Sequence, residues 1–407
     1  MKVLWITNVE LPAIANKRGK SVVVGGWMHQ TLMRLKESMD IYVAACASEN
    51  YGWIECEGVK YCGFTSKASI DVFEKMIKYI NPNCIHIWGS EYDHSYYAVS
   101  AAKKLSKIEC TILSIQGLVS IYAKHYCDGI PPKLIYKKSL KEILGKRNIA
   151  EEQRAMELQG KTETKTVELL KHCMGRTDWD YACAKQINPE IKYHYCGEIL
   201  REGFYTQRWK YENCDKKVIF FSQAHYPIKG LHIMLGALKI VKKRYPSVIL
   251  RVVGENPNEK PAYKKSTYDK YICDLIKKNN LLGSIEWLGK LSEENMIENY
   301  IRANVFVCAS SIENSSNSIG EAMILGVPVV ASDVGGIKSF LSHEKEGLIY
   351  HGTADYMLAD NIIKIFESKE LAIRLGNAAH ERAKVFHNVN KNLQALSNIY
   401  DEIKLDK

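Results

Sequence analysis

Short apolar runs alternate with longer segments of helical periodicity along most of the chain. In the first half, KVLWITN, DIYVAACA, CIHIWGS and CTILSIQG predict buried strands, whereas GGWMHQTLMRLKES, DVFEKMIKYINP and YAVSAAKKL predict helices. The second half repeats this alternation, with predicted strands at KVIFFSQ, VILRVVGE, IEWLGK, VFVCAS and VPVVAS. Strands that alternate with helices in this way predict an α/β fold with parallel sheets.

The alternation breaks near residue 204, where FYTQRWKYENCDKK is polar. A chain of 407 residues is also longer than one hydrophobic core usually supports. We therefore predict two similar α/β domains at 1–205 and 206–385, followed by a C-terminal helix at 386–407 that packs back on the first domain. Such an arrangement favours a ligand site in the cleft between the domains.

Composition and charge narrow the class of protein only a little. Hydrophobic residues make up 46% and charged residues 25%, as in soluble globular proteins, and no apolar run reaches the ~18 residues that span a bilayer. The twelve cysteines show no CxxC pair and no zinc-site spacing, which predicts reduced thiols in the cytoplasm. The net charge of +10 favours anionic partners such as nucleotides or phospholipid surfaces and selects none of them alone.

One segment of the first predicted domain is strongly basic. The run PPKLIYKKSLKEILGKRN begins at residue 131 and carries six basic side chains against one acid, Glu142, with apolar residues at roughly helical spacing. A basic amphipathic helix at 133–147 can lie on an anionic membrane. A solvated helix face packed on the domain explains the same pattern, and both interpretations stay open.

Two glutamates follow the predicted strand VFVCA. In SSIENSSNSIGEAM, seven residues separate Glu313 from Glu321, and the four residues from Ser318 to Glu321 fit a helix capping box. A structural cap is one interpretation. The other is a ligand site, because a helix N-terminus presents backbone N–H groups to a diphosphate and carboxylates accept hydrogen bonds from sugar hydroxyls.

Two further segments have the same two interpretations. In SQAHYPIKGLH, Lys229 lies between a predicted strand and a predicted helix, where a lysine reaches a phosphate at the carboxyl edge of a sheet or simply faces solvent. In RGKSVVVGGW, Gly25 and Gly26 open the first long helix. They are turn glycines, or they allow a phosphate or sugar to approach the backbone closely.

Taken jointly, these segments resemble a known family. The run from LGKLSEEN to EGLIY, with YPIKGLH upstream, resembles the donor-binding domain of glycosyltransferase family 4, whose members are retaining enzymes of the GT-B fold. The resemblance rests on the two glutamates with seven residues between them and on the EAMILGVPVVASDVGG that continues the motif. It covers nearly the whole chain and is strongest at 218–352. The first domain resembles a bacterial polysaccharide-biosynthesis branch through IHIWGSEYDHS, SIQGLVSIYAKHY and GRTDWDYACAKQINP.

The resemblance implies a fold and a set of roles. It implies two Rossmann-like α/β domains that face a central cleft, the first binding an acceptor and the second binding a nucleotide-diphosphate sugar. The two catalytic residues would be Glu313, which contacts the donor sugar, and Lys229, which neutralises the diphosphate. The implied donor-binding residues are Glu321 at the ribose, Ser318, Ile319 and Asn317 near the phosphates, Gly25 and Gly26 facing the phosphates from the first domain, and Gly289 near the base.

The sequence departs from the family pattern at two places. The family commonly has an arginine five or six residues before the lysine, where this chain has Gln223 and Ala224, so Arg201, Arg208 or Arg176 would supply that charge. A histidine common after one first-domain strand is replaced by Gln116. The expected acceptor-side residues are Gln116, Glu91, His94 and Arg176.

The resemblance also implies that the enzyme works without a metal or another cofactor. The triplet Asp178-Trp179-Asp180 has the form of a metal motif of another glycosyltransferase fold, but we interpret it as part of a loop. The histidines lack the spacing of a zinc site.

The sequence thus predicts a retaining enzyme that moves a sugar from a nucleotide-diphosphate sugar, with a UDP-sugar favoured, to a glycan or lipid-linked saccharide. We expect a role in cell-surface polysaccharide or capsule biosynthesis, a location in the cytoplasm or at the inner face of the cytoplasmic membrane, peripheral contact with anionic lipid, and no nucleic-acid partner. The alternatives are a nucleotide-sugar 2-epimerase of the same fold and a sugar-nucleotide binding protein without catalysis. A dinucleotide oxidoreductase is disfavoured because no G-x-G-x-x-G follows the first strand.

Overall fold

The computed structural model describes residues 1–20, 25–224 and 226–404. Residues 21–24, inside RGKSVVVGGW, and His225, inside SQAHYPIKGLH, lie outside the described residues. The chain divides into two compact units. Unit 1 comprises Met1–Ile121, Glu157–Arg201 and His387–Lys407, and unit 2 comprises Tyr122–Met156 and Glu202–Phe386.

Parallel strands dominate both units. In chain order the strands are β1 (Lys2–Thr7), β2 (Asp40–Cys46), β3 (Tyr51–Cys56), β4 (Val59–Phe64), β5 (Cys84–Trp88), β6 (Thr111–Ser114), β7 (His172–Gly175), β8 (Lys192–Tyr195), β9 (Val218–Phe221), β10 (Ile249–Val252), β11 (Ile285–Trp287), β12 (Val305–Cys308), β13 (Val329–Ser332) and β14 (Leu348–Tyr350). Residues of the central strands are buried almost without interruption, as expected for parallel strands covered by helices on both faces.

Helices connect most of these strands. They are α1 (Pro12–Lys17), α2 (Gly26–Leu35), α3 (Ile70–Ile80), α4 (Asp93–Lys104), α5 (Val119–Tyr122), α6 (Pro132–Ile135), α7 (Leu140–Ile143), α8 (Ile149–Leu169), α9 (Asp178–Ile187), α10 (Leu231–Arg244), α11 (Thr267–Lys278), α12 (Glu293–Arg302), α13 (Asn317–Leu325), α14 (Asp355–Glu367), α15 (Lys369–Phe386) and α16 (Val389–Ile403).

Unit 1 contains an eight-stranded sheet with the order β3-β4-β2-β1-β5-β6-β7-β8. All neighbours pair in parallel except β3, which pairs antiparallel with β4 at one edge. The C-terminal helix α16 belongs to this unit, where its Tyr400 hydroxyl accepts a hydrogen bond from Trp5 Nε1 at 2.9 Å and contacts His86 Nδ1 at 2.5 Å. The strand order reverses between β1 and β5, so their carboxyl ends form the natural ligand edge of unit 1.

Unit 2 contains a six-stranded, fully parallel sheet with the order β11-β10-β9-β12-β13-β14. The strand order reverses between β9 and β12. Ligands of open parallel sheets bind at such a reversal, outside the carboxyl ends of the strands. The segments that follow β9 and β12 contain Lys229 and Glu313 respectively.

The structure corrects the predicted domain boundaries at one segment. The sequence predicts residues 122–156 as part of the first domain, whereas they pack with unit 2. Long-range polar contacts explain the difference, because the buried Glu142 carboxylate accepts hydrogen bonds from Thr267 N–H at 2.8 Å and from the Thr267 hydroxyl at 2.5 Å. Residues 387–407 group with unit 1.

The predicted amphipathic helix at 133–147 is also wrong. The segment forms two single-turn helices, α6 and α7, and a long helix begins only at Ile149. Glu142 closes a capping box with Ser139 in α7 and simultaneously binds Thr267, so this turn is fixed to unit 2 by its acid. No helix among the described residues is long and apolar enough to cross a membrane.

Candidate functional site

Lys229 and Glu313 meet at the strand-order reversal of unit 2. Lys229 Nζ lies 2.6 Å from Glu313 Oε1, and the two side chains are 16% and 9% exposed. The Ser310 hydroxyl donates to the same carboxylate oxygen at 2.7 Å. Burial alone lowers the pKa of Lys229, but the Glu313 carboxylate outweighs burial and holds that pKa above its ordinary value. The lysine is therefore a fixed positive charge at the carboxyl edge of the sheet.

Two glycines fix the backbone around this ion pair. Gly230 has φ +71°, and a Cβ built there would lie 1.8 Å from the Ala309 carbonyl oxygen. Gly335 has φ +52°, and a Cβ there would lie 1.9 Å from the Glu313 carbonyl oxygen. The Gly336 N–H donates to that carbonyl at 2.9 Å. The close approach explains why small residues are required on both sides of the loop that follows β12.

The first turn of α13 presents backbone donors beside the ion pair. The helix begins at Asn317, and the N–H groups of Asn317 and Ser318 donate to no acceptor in the described part of the chain. Ile319 N–H, by contrast, is engaged with the Ser316 carbonyl at 3.0 Å. The free donors and the positive end of the helix dipole suit an anion such as a phosphate.

The predicted capping box at Ser318–Glu321 is wrong. Ser316, rather than Ser318, is the N-cap, and its side chain makes no capping hydrogen bond. The Ser316 and Ser318 hydroxyls instead hydrogen-bond to each other at 2.9 Å. Glu321 consequently does not form the predicted capping box.

Tyr300 on α12 positions Glu321, a contact that sequence reasoning missed. The buried Tyr300 hydroxyl donates to the Ser318 carbonyl at 2.9 Å and lies 3.4 Å from Glu321 Oε2. Its ring packs edge-on against Phe220 of β9, with ring centroids 4.7 Å apart. No local motif marks this tyrosine, since its partners come from strands and helices distant in sequence.

A small pocket lies between the ends of β9 and β12. Its lining contains the predicted Lys229, Glu313 and Ser318 together with Gln223, one of the two residues that replace the family arginine. The complete lining is Phe221, Ser222, Gln223, Lys229, Phe306, Val307, Cys308, Ala309, Ser310, Glu313 and Ser318.

The segment 122–156 supports the Glu313 loop, which the sequence did not predict. Asn314 N–H donates to the Tyr122 hydroxyl at 2.8 Å. The Ser311 hydroxyl donates to the His125 carbonyl at 3.0 Å. These two hydrogen bonds connect the loop after β12 to the segment 122–156 of the same unit.

Gly289, the predicted neighbour of the base, lies at the same edge of the sheet. It has φ +65° and exchanges backbone hydrogen bonds with Gly254, at 2.9 Å and 3.2 Å. A Cβ built on Gly289 would meet no atom within 4 Å. The pair therefore leaves open space beyond β10 and β11.

In unit 1, Gly25 and Gly26 begin α2, and Gly25 has φ +81°. A Cβ on Gly26 would lie 3.5 Å from the Arg201 side chain, so Arg201 packs along the first turn of this helix. Of the three candidate arginines, Arg201 is the one that the structure brings to a predicted phosphate-facing residue.

Arg208 does not serve the predicted phosphate role. A Cβ on Gly326, the C-cap of α13, would lie 2.2 Å from Arg208 Nη1. Arg208 therefore lies at the far end of α13 from Ser318, about 12 Å along the helix axis. There it complements the carbonyl end of the helix dipole.

Arg176 and Gln116 lie together at the ends of β7 and β6 in unit 1. Arg176 Nη2 donates to Gln116 Oε1 at 3.4 Å. Arg176 also forms a buried ion pair with Glu198, so its charge is already compensated within the unit. The pair offers an amide and a guanidinium at the ligand edge of the first sheet.

Glu91 and His94 occupy the end of β5 and the start of α4. Burial raises the pKa of Glu91 to about 7. His94 is buried. Its ring stacks on Tyr92 with centroids 5.1 Å apart, and burial lowers its pKa to about 4. Asn8, at the end of β1, donates to the Tyr92 hydroxyl at 2.8 Å and joins the two loops of the strand-order reversal.

The Asp178-Trp179-Asp180 triplet has a structural role in α9. Asp180 closes a capping box with Thr177 and accepts a hydrogen bond from the Tyr193 hydroxyl at 2.5 Å. No group of three or more metal-ligating side chains is found among the residues that the structure describes.

Comparison with known proteins shows which class of protein this chain resembles. Residues 205–382, which nearly coincide with the second stretch of unit 2, match the family model described as Glycosyl transferases group 1. The D-inositol 3-phosphate glycosyltransferase of Corynebacterium efficiens is 28% identical over 186 residues, which cover 46% of this chain and 43% of that protein. The chain spans about half the length of the curated relatives that it matches. Residues 205–382, less than half of the chain, are thus similar to glycosyl transferases of group 1.

Solved structures match over nearly the whole chain. Sucrose-phosphate synthase from Thermosynechococcus elongatus has a TM-score of 0.72 at 14% identity, with 99% of both chains covered. Anabaena HepE in complex with UDP and glucose has a TM-score of 0.69 at 15% identity, with 99% of this chain and 100% of that chain covered. The likeness confirms the predicted fold of two Rossmann-like α/β domains with parallel sheets, which is the GT-B fold of glycosyltransferases.

Proposed function

We propose that this protein is a retaining glycosyltransferase that uses a nucleotide-diphosphate sugar, with a UDP-sugar favoured, and works without a metal. The acceptor is a glycan or a lipid-linked saccharide in cell-surface polysaccharide biosynthesis, reached in the cytoplasm at the inner face of the membrane. The observation that carries the proposal is the Lys229–Glu313 ion pair, 2.6 Å long, beside the first turn of α13. The family match over residues 205–382 supports the same class of reaction.

The proposed chemistry places negative charge where unit 2 has positive charge. As the bond from the anomeric carbon to the diphosphate breaks, the diphosphate leaves with the electron pair. The acceptor hydroxyl oxygen bonds to the same face of that carbon, and its proton passes to a leaving phosphate oxygen. Lys229 and the N–H groups of Asn317 and Ser318 would stabilise the departing charge, a role for which a single preorganised donor is worth about 10²–10³ in rate.

The two glutamates would have separate tasks. Glu321, held by the Tyr300 hydroxyl, would accept hydrogen bonds from the ribose hydroxyls. Glu313 would hold Lys229 in place and contact the donor sugar. Gly289 would leave room for the base, since a side chain is absent at an open edge of the sheet.

On the acceptor side, unit 1 would contribute polar groups at the ends of its central strands. Gln116 and Arg176 offer an amide and a guanidinium, which suit sugar hydroxyls. Glu91 is half-buried in the loop after β5, with its Oε2 atom enclosed, and His94 would orient its neighbours rather than touch the acceptor, because it is buried. Gly25 and Gly26 would allow close approach of a phosphate in the presence of Arg201.

A nucleotide-release screen tests the proposal. Wild-type protein is incubated with UDP-, GDP- and ADP-sugars and a membrane extract as acceptor, and free nucleotide diphosphate is measured. We expect release from one donor and a loss of about 10²-fold or more in Lys229→Ala. Lys239→Ala, an exposed lysine on α10, is the matched control and should keep normal turnover.

The same reaction mixture distinguishes the alternatives. An isomeric nucleotide sugar without release of diphosphate would identify a 2-epimerase. Binding of a nucleotide sugar with neither product would identify a binding protein without catalysis. Either outcome would contradict the proposed transfer.

A further inference from the structure

We propose that unit 2 docks on an anionic lipid bilayer through an apolar tip and a basic rim formed by α7 and the segment around Tyr263. The docking surface depends on the proposed function only in the reason for docking, which would be to bring the donor site to a lipid-linked acceptor. We call Leu140, Ile143 and Leu144 the apolar tip. We call Lys137, Lys141, Lys146 and Lys264 the basic rim.

The apolar tip reverses the usual orientation of an amphipathic turn. Leu140, Ile143 and Leu144 are 53%, 65% and 77% exposed. In the same turn the charged Glu142 is 4% exposed and points inward, bound to Thr267. A fold that buries the carboxylate and exposes three large apolar side chains within five residues departs from the rule that charged groups stay in water. Such clustered exposure marks an interaction surface.

The turn that carries the tip is fixed in place, because both oxygens of the Glu142 carboxylate accept hydrogen bonds. Glu142 Oε2 accepts from Ser139 N–H at 2.6 Å and from the Thr267 hydroxyl at 2.5 Å, and Oε1 accepts from Thr267 N–H at 2.8 Å. The Thr267 hydroxyl also reaches the Lys137 carbonyl at 3.2 Å. The exposed side chains are therefore displayed by a braced turn and need no folding step on binding.

Basic side chains outnumber acidic ones around the tip, although Glu152 and Glu255 also line the pockets there. Lys137, Lys141, Lys146 and Lys264 form no ion pair within the described ranges of the chain. By contrast, the adjacent Lys138 pairs with Glu151 at 2.5 Å. Two open pockets of about 950 Å³ and 980 Å³ share Lys141 and Lys146 and join the rim to Tyr263 and Lys264.

An anionic bilayer fits this surface better than a soluble anion does. A soluble phosphate ligand would be satisfied by the lysines and gives no reason for the exposed leucines and isoleucine. A bilayer surface takes both, since apolar side chains enter the acyl boundary while lysines meet anionic headgroups. The exposed rings of Tyr136 and Tyr263, 79% and 56% exposed, suit the headgroup level of such a membrane.

The surface lies next to the donor site of the same unit. One of the two pockets at the rim also includes Tyr226 and Pro227, which begin the turn that carries Lys229. The Lys229 ammonium lies 5.9 Å from the Tyr226 ring centroid. Docking at the rim would therefore bring lipid headgroups close to the diphosphate-binding turn.

Vesicle co-sedimentation of the full chain tests the proposal. The probes are vesicles of phosphatidylcholine with 30% phosphatidylglycerol, by mole, and vesicles of phosphatidylcholine alone (roughly the charge density of an anionic membrane surface). We expect binding to the anionic vesicles that weakens as salt is raised. The variant K137Q/K141Q/K146Q should lose about 100-fold in partitioning, since each lysine adds to the attraction. The variant L140S/I143S/L144S should lose about tenfold or more.

Matched controls separate the surface from net charge and from general hydrophobicity. K239Q/K243Q/K278Q removes the same charge from exposed positions on α10 and α11 of unit 2, and Leu282→Ser removes a 69% exposed leucine. Both controls should bind vesicles like the wild type. Equal losses in the charge variant and its control, or no loss in the tip variant, would overturn the proposal.

Nucleotide titration keeps this test independent of the proposed function. UDP, GDP and ADP affinities of both surface variants should equal those of the wild type, which also shows that the variants are folded. Vesicle binding by a protein that shows no transferase activity would leave the docking surface standing and remove the transferase. Inorganic pyrophosphate that binds the rim without any vesicle binding would overturn the docking surface.

Discussion

Replacing Lys229 by methionine removes a positive charge that lies 2.6 Å from the Glu313 carboxylate. The carboxylate would keep only the Ser310 hydroxyl as a close donor, 2.7 Å away, among the contacts described for this side chain. Glu313 is 9% exposed, so water replaces little of the lost interaction. We therefore expect Lys229→Met to destabilise unit 2 and not merely to reduce turnover.

The magnitude follows from the distance and the burial. At an effective dielectric of about 20, two unit charges 2.6 Å apart attract by about 6 kcal/mol, and the cost of desolvating both groups offsets part of this. Removal of one member of a buried pair typically costs about 3–5 kcal/mol because the other charge is left unpaired. We expect this range for Lys229→Met and for Glu313→Gln a smaller loss, since glutamine still accepts from Ser310.

A double-mutant cycle measures the coupling. Urea unfolding is followed for the wild type, Lys229→Met, Glu313→Gln and the double variant. The double variant should be more stable than the sum of the two single losses predicts, by about 2–4 kcal/mol, because it leaves no unpaired charge. Nucleotide binding gives a second readout: Glu313→Gln should tighten UDP binding, since Lys229 loses the carboxylate that competes with the diphosphate.

Additive losses in the cycle would contradict this expectation. They would show that Lys229 and Glu313 do not interact as a buried pair in solution. A Glu313→Gln variant that binds UDP less tightly than the wild type would show instead that the carboxylate itself contacts the nucleotide.

Three further outcomes follow from single contacts. Tyr300→Phe should cost about 1 kcal/mol in stability and weaken UDP titration several-fold, because Glu321 loses its hydroxyl neighbour; unaltered UDP affinity would contradict this role. Gly335→Ala should abolish soluble expression or turnover, since its Cβ would lie 1.9 Å from a carbonyl, whereas Gly352→Ala, at the same φ of +52° but in open space, should behave as a matched control. Burial lowers the pKa of His232 to about 4, so the unfolded chain binds more protons than the folded chain between pH 4 and about 6.5, and stability falls as the pH is lowered. His232→Gln should reduce the loss of unfolding free energy between pH 7 and pH 5 by about 2 kcal/mol, and an unchanged loss would contradict this role.

The fold was largely predictable because buried parallel strands leave a strong local signature. Val218–Phe221 and Val305–Cys308 are apolar at every position, and turn residues follow each of them. The hairpin of β3 and β4 was not predicted, because β3 is half-exposed along its length and lacks a continuous apolar run. Its position at the edge of the sheet explains that exposure.

The assignment of residues 122–156 was not predictable from local patterns. The contacts that bind this segment to unit 2 join residues about 125 positions apart, as in the Glu142–Thr267 bonds. A basic, amphipathic run predicts one helix when read alone. Capture of its acid by Thr267 breaks the run into single turns instead.

At the site, the sequence located the side chains and missed what holds them. The family resemblance assigned Lys229 and Glu313 to one donor site, and the fold brings them together because both follow strands at the reversal of strand order, although 84 positions separate them. The predicted cap at Ser318 failed because Ser316 ends the extended segment two residues earlier. Tyr300 was missed because a buried tyrosine on a helix has no pattern that distinguishes it from an ordinary core residue.

Titration of the bare nucleotides tests the central claim most directly, namely that unit 2 binds a nucleotide diphosphate between Lys229 and Glu321. UDP, GDP and ADP are titrated calorimetrically into the wild type, Lys229→Ala, Glu321→Ala and the control Lys239→Ala. We expect one nucleotide to bind the wild type and the control equally, and each site variant to weaken that binding about tenfold or more. Equal affinity in all four proteins, or no binding of any nucleotide to the wild type, would contradict it.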